Sequence, residues 1–145
     1  MRAVLQRVTK AQVSVEGLVK GKIANGLLVY LGIGIDDTNQ DAEFIAKKIA
    51  ELRIFPDEAG KMNRSISQAA GKVLLISNFT LYGNCSKGRR PGFDKSAEPA
   101  AAKKLYELTA DLIISKGIEV EKGIFAAHMH VESTNNGPVT FILES

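Results

Sequence analysis

The apolar run from Leu27 to Ile35 is the feature that most constrains what this chain can fold into. A short, nearly uninterrupted apolar run between turn signals is typical of a strand that is buried on both faces. The run therefore predicts a central strand, and the β-rich run Val73–Leu81 predicts a second one. Asn25-Gly26, directly before the first run, is a strong hairpin signal because both residue types accept positive φ.

Shorter patterns predict four more strands around this centre. Apolar and polar residues alternate over residues 11–15, which predicts a half-buried strand, and Glu16-Gly17 then turns the chain. The other three strands are expected at Leu18–Ala24, Met129–Ser133 and Val139–Leu143, the last two joined by a turn at residues 134–138.

Two amphipathic segments set far apart predict helices. Thr38 with Asp41 three residues later resembles a capping arrangement, and Pro99 and Gly117 bracket the second segment. The residues expected to face inward are Ala42, Ile45, Ile49 and Leu52 in the first helix and Ala101, Leu105, Leu108 and Leu112 in the second. Many strands with only two distant helices indicate an α+β fold with a mostly antiparallel sheet.

The length of 145 residues suits one domain, and we assign residues 1–145 to a single domain. No apolar run reaches the roughly 18 residues that a transmembrane helix needs, and Gln6 and Arg7 break the N-terminal apolar stretch too soon for a signal peptide. A single cysteine, Cys85, fits a reducing compartment, so we expect a cytoplasmic protein. The net charge of +3 permits contact with nucleic acid without arguing for it.

The sequence contains no nucleophile elbow, no Walker loop and no paired-cysteine metal site. Cys85 as a nucleophile needs a base that the sequence does not place, and an ordinary loop residue is the simpler interpretation. His128 and His130 face the same side of a strand, but two histidines rarely hold a catalytic metal. We expect both to face solvent, and we expect no metal or other cofactor.

Two segments hold the remaining candidates. Ser77-Asn78-Phe79-Thr80-Leu81 ends an apolar strand with polar side chains that are costly to bury unless they form hydrogen bonds. A site and an ordinary strand end are about equally compatible with this pattern. Asn136-Gly137-Pro138-Val139-Thr140 contains a Gly-Pro step, which on its own is usually only a turn.

Taken together, these two segments resemble the paired signatures of the D-aminoacyl-tRNA deacylase family. The resemblance covers almost the whole chain, through stretches in the expected order at Met1–Val8, Leu52–Phe55, Gly60–Asn63 and Lys87–Pro91. It implies an α+β homodimer with a barrel-like sheet and two main helices, acting without a cofactor on an amino acid esterified to the terminal adenosine of tRNA. The implied activity is release of D-amino acids with rejection of L-aminoacyl-tRNA. Because glycine has no side chain to obstruct, we expect glycyl-tRNA to be cleaved to some degree as well.

The resemblance also implies roles for particular residues. Gly137-Pro138, expected to be cis, would enter the partner subunit's active site together with Asn136, as a rigid obstruction to an L-side chain. Arg7 would brace this loop, while Phe125 and Met129 would wall the pocket.

The chemistry is expected at Ser77, Phe79 and Thr80, with the backbone N–H groups of Phe79 and Thr80 as oxyanion donors. Thr80 as a nucleophile has no base visible in the sequence, so we prefer a water molecule activated with help from the 2′-hydroxyl of the tRNA. The expected contacts with tRNA phosphates are Lys87, Arg89 and Arg90.

The chain departs from the family pattern at three positions. Asn78 stands where the family usually has glutamine, Ala126 where it has glycine, and Asn136 where it has aspartate. We assign Asn78 no direct role, and we expect the change at Asn136 to matter little because backbone atoms do the proposed work. Two other functions are considered: a synthetase-type editing module that removes a mischarged L-amino acid, and a non-catalytic RNA-binding protein.

Overall fold

The computed structural model describes residues 1–145 and contains eight strands, two α-helices and one 3-10 turn. The strands are β1 (Arg2–Val15), β2 (Leu18–Ile23), β3 (Gly26–Gly32), β4 (Phe55–Pro56), β5 (Met62–Arg64), β6 (Lys72–Ser77), β7 (Val120–Lys122) and β8 (His130–Glu144). The helices are α1 (Asn39–Glu51) and α2 (Pro99–Ile114), and the 3-10 turn spans Phe79–Tyr82. Neither helix has the length and apolar character that a membrane crossing requires.

The long first strand organises the main sheet. β1 pairs antiparallel with β8 along one edge, while its other edge pairs with β3 in its first half and β2 in its second. β6 and β7 extend the sheet from β3 through parallel pairs, and β4 and β5 form a separate small hairpin. The main sheet is thus mixed and barrel-like, with three antiparallel and two parallel pairings, and the predicted α+β class is confirmed.

The hairpin predicted at Asn25-Gly26 is wrong. β1 pairs Ala11 with Ile23 and Val8 with Gly26, so β3 continues in the direction of β2 instead of reversing. The Asn25 carbonyl accepts the Lys72 backbone N–H at 3.1 Å, which holds this break against the start of β6. A Cβ atom on Gly26 would lie 1.9 Å from the Lys72 carbonyl oxygen, so the glycine is required by a close approach between backbones.

Apolar side chains on the two faces of the sheet form two buried clusters. The larger cluster lies between the sheet and the helices, where Leu5, Val29 and Leu75 meet Ile45 and Ile49 of α1. The smaller cluster, on the other face, consists of Val8, Ala11, Val13, Ile23, Leu28, Leu74 and Ile76. Full burial of such a side chain contributes about 1.5–3 kcal/mol. Both clusters include residues of β3 and β6, so this burial holds the ends of these two strands in place.

Both predicted helices form. α1 begins after Thr38, whose backbone N–H and hydroxyl each donate to the Asp41 carboxylate at 2.8 Å. The inward face predicted for α2 is rotated from the observed one: the buried residues are Leu105, Tyr106, Thr109, Ala110 and Ile113, whereas Ala101 is exposed and Leu108 and Leu112 are half-buried. Tyr106 accounts for the rotation, because its hydroxyl reaches the Leu75 carbonyl of β6 at 2.9 Å.

The two C-terminal strands predicted on either side of a turn are a single strand, β8. Its ladder with β1 is irregular where residues 136–139 bulge out opposite Arg7. The side-chain amide of Asn135 closes this bulge by donating to the carbonyls of Arg7 at 2.9 Å and Val139 at 3.0 Å. Because the ladder resumes on both sides, a bulge of this kind holds its residues on a rigid strand and not in a free loop.

Candidate active site

A cavity of about 620 Å³ opens where the parallel strands β3 and β6 end. Five of the predicted site residues line it together: Ser77, Phe79, Thr80, Phe125 and Met129. The lining residues that the sequence prediction did not include as site residues are Tyr30, Ile33, Ile76, Asn78, Ser96, Ala97, Pro99, Ala102, Ala126, Ala127, His128 and Val131. A concave, mostly apolar pocket with a few converging polar groups is the usual form of a small-molecule site, so this cavity is the candidate active site.

The turn after β6 gives the cavity its polar wall. The strand predicted to reach Leu81 ends at Ser77, and the 3-10 turn begins there, because the Asn78 side-chain oxygen accepts the Thr80 backbone N–H at 3.2 Å. The same oxygen accepts the Thr80 hydroxyl at 2.5 Å. Asn78 therefore shapes this turn through its side chain, while the expectation that it has no direct role in the chemistry stays a prediction. The Thr80 N–H is already engaged, which narrows the candidate oxyanion donors to the Phe79 N–H.

At the rim of the cavity, the chain continues into the basic loop, residues 85–91. Phe79 is 58% exposed, and its ring meets the edge of Phe93 with centroids 5.0 Å apart. The loop is closed by two backbone hydrogen bonds between Asn84 and Gly92, at 2.8 and 3.0 Å. The predicted tRNA-binding residues, Lys87, Arg89 and Arg90, are exposed in this loop, beside the cavity and not within it.

Aromatic packing sets the opposite wall. Phe125 lies 5.7 Å from the ring of Tyr106, and Met129 packs on Gly123, where a Cβ atom would come within 2.5 Å of the methionine sulfur. Burial raises the pKa of the Tyr30 hydroxyl, which lines this wall. Ala126 adopts φ 61, a left-handed conformation that is costly for a residue with a Cβ atom.

The Gly-Pro bulge, residues 136–139, lies apart from this cavity. The Gly137–Pro138 peptide bond is cis, as the resemblance implied, and both residues are exposed. Arg7, only 9% exposed, donates from Nε to the Asn136 carbonyl at 3.1 Å and from Nη1 to the Ile54 carbonyl at 2.7 Å. The guanidinium thus ties the bulge to the segment that enters the β4–β5 hairpin.

Three side chains that the sequence offered as candidates, two histidines and one cysteine, have clear places. His128 lines the cavity mouth and His130 begins β8; both are exposed, with ring centroids 5.1 Å apart and edge to face. Cys85 is exposed in the basic loop and does not line the cavity. Among the missed residues, Tyr30 carried a usable signal, because it is the only side chain with a polar group in the apolar run of β3.

A family model described as D-Tyr-tRNA(Tyr) deacylase matches residues 4–144. The chain belongs to this deacylase family. It is 54% identical over 145 residues to the D-aminoacyl-tRNA deacylase of Fervidobacterium nodosum and 52% identical to that of Thermotoga petrophila, covering 100% of this chain and 97% of each relative. The enzyme of the same name from Bacillus velezensis is 50% identical, with 99% of its length covered.

Solved structures agree with the deacylase fold. A structure named c-Myc DNA Unwinding Element Binding Protein has a TM-score of 0.93 at 36% identity and covers 100% of this chain and 99% of that one. A probable eukaryotic D-amino acid tRNA deacylase has a TM-score of 0.83 at 16% identity, covering 98% and 97%, and shares the fold.

Proposed function

We propose that this chain hydrolyses the ester bond between a D-amino acid and tRNA, in the cavity at the end of β6. Its family and its relatives at 50–54% identity support the reaction. The observation that carries the site is the meeting of Ser77, Phe79 and Thr80 with the apolar wall of Phe125 and Met129 in one cavity. We further propose that the protein acts in the cytoplasm, where its tRNA substrate is charged.

The nucleophile in this proposal is water. Nucleophilic catalysis by a hydroxyl needs an adjacent base to take its proton. The Thr80 hydroxyl donates to the amide oxygen of Asn78, which is not a base. Water activated with help from the 2′-hydroxyl of the terminal adenosine avoids this need, and the Phe79 N–H is the donor we assign to the developing oxyanion.

The Phe79 N–H can be removed by mutation. Phe79 is the first residue of the 3-10 turn, and Asn78 before it is extended (φ −147), so proline is compatible with both positions. Phe79→Ala keeps the N–H and removes the ring, which makes it the matched control for Phe79→Pro. Loss of an oxyanion donor costs about 100-fold or more in kcat, so Phe79→Pro should fall that far below Phe79→Ala. Equal kcat values for the two variants would reject this donor.

We propose that the Gly-Pro bulge acts in the cavity of a second subunit. The cavity lining includes Met129 and Val131 near the start of β8 and none of residues 136–139. The bulge therefore does not serve the cavity of its own chain. A homodimer with two-fold symmetry uses the same surface on both chains and gives each cavity the bulge of the other.

A partly exposed apolar row supports this arrangement. Tyr30, Val4 and Ile142 stand directly opposite one another on β3, β1 and β8, and Ile142 is 69% exposed. Tyr30 lines the cavity, while Ile142 lies on the same strand as the bulge. The row thus connects the two features with surface that a second copy would remove from water.

The selection of D- over L-substrates then depends on the shape of the shared site. The enantiomers of an amino acid differ only in the arrangement of groups around Cα, so a pocket open to many D-side chains selects best by blocking the place of an L-side chain. The cis Gly137–Pro138 bulge is the rigid obstruction in this proposal. Glycine has no side chain to obstruct, and glycyl-tRNA should therefore be cleaved to some degree.

The test is hydrolysis of matched D- and L-aminoacyl-tRNA that carry the same amino acid on the same tRNA. We expect rapid release of the D-amino acid and little release of the L-amino acid. Cleavage of the L-substrate alone would indicate the editing module, and binding of both without cleavage would indicate a non-catalytic RNA-binding protein. Equal rates for the two enantiomers would reject the proposal.

Subunit mixing tests the shared site. We expect Phe79→Pro homodimers to be slow on both enantiomers and Gly137→Ala homodimers to lose discrimination, since a Cβ atom on Gly137 would lie 2.6 Å from the Val139 side chain. After exchange of equal amounts, half of the dimers are mixed, and each has one cavity with both parts intact. Half of the active cavities thereby gain an intact bulge, so the rate of L-hydrolysis should fall by about half while the rate of D-hydrolysis is unchanged. An unchanged rate of L-hydrolysis after proven exchange would place both parts in one chain.

A further inference from the structure

Asn78 directs both polar groups of Thr80. Its side-chain oxygen accepts the Thr80 backbone N–H at 3.2 Å and the Thr80 hydroxyl at 2.5 Å. The orientation of the amide is fixed, because a backbone N–H is always a donor and only the amide oxygen can accept it. That oxygen has no hydrogen, so the Thr80 hydroxyl must be the donor in the second bond.

The hydroxyl hydrogen of Thr80 is consequently committed to Asn78. A hydroxyl has one hydrogen and two lone pairs, so Thr80 Oγ1 offers only lone pairs to a molecule in the cavity. The groups it can bind are donors, such as water, a hydroxyl or an ammonium group. It cannot stabilise the negative charge that develops on the carbonyl oxygen of the ester.

We propose that Asn78 is a positioning residue, which fixes the Thr80 hydroxyl as an acceptor for the attacking water. This inference rests on the proposed function, since it assigns a task within that hydrolysis. Asn78 acts through Thr80 and touches no reacting atom.

The step balances with water as the only co-reactant. Water donates one hydrogen to Thr80 Oγ1, which turns a lone pair toward the ester carbonyl carbon. The bond from the water oxygen to that carbon forms, and the bond from the same carbon to the ribose oxygen breaks. One water proton passes through the neighbouring ribose hydroxyl to the leaving ribose oxygen, and the amino acid leaves as its carboxylate after the second proton is lost to solvent.

Two substitutions at Asn78 separate the effect of its acceptor oxygen from the effect of its side-chain shape. Asn78→Leu has nearly the same shape and no acceptor, whereas Asn78→Asp keeps an acceptor oxygen in the same place. Thr80→Val removes the hydroxyl at nearly constant shape. Each change is made alone, and Asn78→Leu is also combined with Thr80→Val, with circular dichroism and thermal unfolding to show that every variant is folded.

The readouts are kcat and KM for D-aminoacyl-tRNA. We expect Asn78→Leu and Thr80→Val each to lower kcat by about tenfold with KM within about threefold, and Asn78→Asp to stay within about threefold of wild type. Because the two residues act as one unit, the double variant should be no slower than the slower single variant. Losses that multiply, or wild-type kcat in Asn78→Leu, would overturn the inference.

A measurement without turnover separates this inference from the proposed function. In amide hydrogen exchange, the Thr80 N–H should be protected in wild type and in Asn78→Asp and exchange rapidly in Asn78→Leu. Rapid exchange in an active wild-type protein overturns the role of Asn78 alone. A wild-type protein that cleaves no D-aminoacyl-tRNA overturns the proposed function, and this inference with it.

Discussion

Replacement of Arg7 by methionine tests whether the guanidinium holds the Gly-Pro bulge in place. Arg7 is almost fully buried, and its two hydrogen bonds go to backbone carbonyls on different segments, Asn136 in the bulge and Ile54 before β4. No carboxylate pairs with it. These two hydrogen bonds hold the bulge in place, so their removal should lower both the free energy of unfolding and the discrimination against L-aminoacyl-tRNA.

The magnitude follows from these two bonds. Hydrogen bonds to a charged donor contribute about 1.5–3 kcal/mol each, so loss of both removes about 3–6 kcal/mol. Removal of the guanidinium also removes its desolvation cost, which offsets part of this loss. Methionine keeps the packing of the aliphatic stem, and the net expectation is a loss of about 3 kcal/mol in the free energy of unfolding. Arg7→Lys should lose about half as much, because an ammonium group cannot span both carbonyls.

Urea unfolding at a fixed protein concentration measures this difference, since the apparent stability of a dimer depends on concentration. With a slope of about 2 kcal/mol/M, Arg7→Met should lower the midpoint by about 1.5 M. Arg53→Met is the matched control, because Arg53 is exposed and makes one hydrogen bond of 3.4 Å to Asn63. Release of L-amino acid should also rise in Arg7→Met and not in the control. Equal midpoints and equal discrimination in the two variants would refute the reasoning.

Three further predictions concern strain, pH and salt. Ala126→Gly should raise the free energy of unfolding by about 1 kcal/mol in urea denaturation, because it removes a Cβ atom from a left-handed conformation. Hydrogen bonds from the Thr38 side chain and backbone lower the pKa of Asp41 to about 2. Its stabilising contribution is present above the unfolded pKa of about 4 and is lost as pH falls toward 2, so acid titration of Asp41→Asn should show a weaker loss in that window. Replacing the three cations of the basic loop with alanine should reduce the slope of log binding constant against log salt by about 2–3 for tRNA, equally for D- and L-charged forms; an unchanged slope would place the phosphate contacts elsewhere.

The elements that sequence predicted well are those whose signal is periodic and local. α1 followed from its capping pair, and β3 followed from its apolar run, because each pattern is set by neighbours in the chain. The turn signals at Asn25-Gly26 and Gly137-Pro138 misled for a shared reason. Both steps interrupt strands that pair with β1. Because β1 is 14 residues long, pairing with it resumes after each interruption. A turn residue shows that the backbone departs from a ladder, but only the partner strand shows whether it returns.

The candidate site shows the same difference between what the sequence predicted and what only the structure gives. The resemblance brought Ser77 and Thr80 together with Phe125 and Met129, and the structure places all four around one cavity. The hydrogen bonds from Thr80 to Asn78 were not predicted, because they depend on where one side-chain oxygen lies relative to a hydroxyl two residues on. Spacing alone does not give that geometry, since an asparagine after a strand can equally face solvent.

The separation of cavity and bulge on one chain has a consequence for how selectivity can fail. If water, the Phe79 N–H and Thr80 perform the hydrolysis, those groups are complete within one subunit, whereas the proposed obstruction belongs to the other. Chemistry and selection should then respond differently to dilution. As dimers dissociate, the residual turnover of a lone subunit would act on D- and L-substrates alike, because nothing fills the place of the L-side chain. A ratio of D- to L-hydrolysis that falls as the protein is diluted is the signature of this arrangement, and a ratio that is constant across the dimer–monomer transition is incompatible with it.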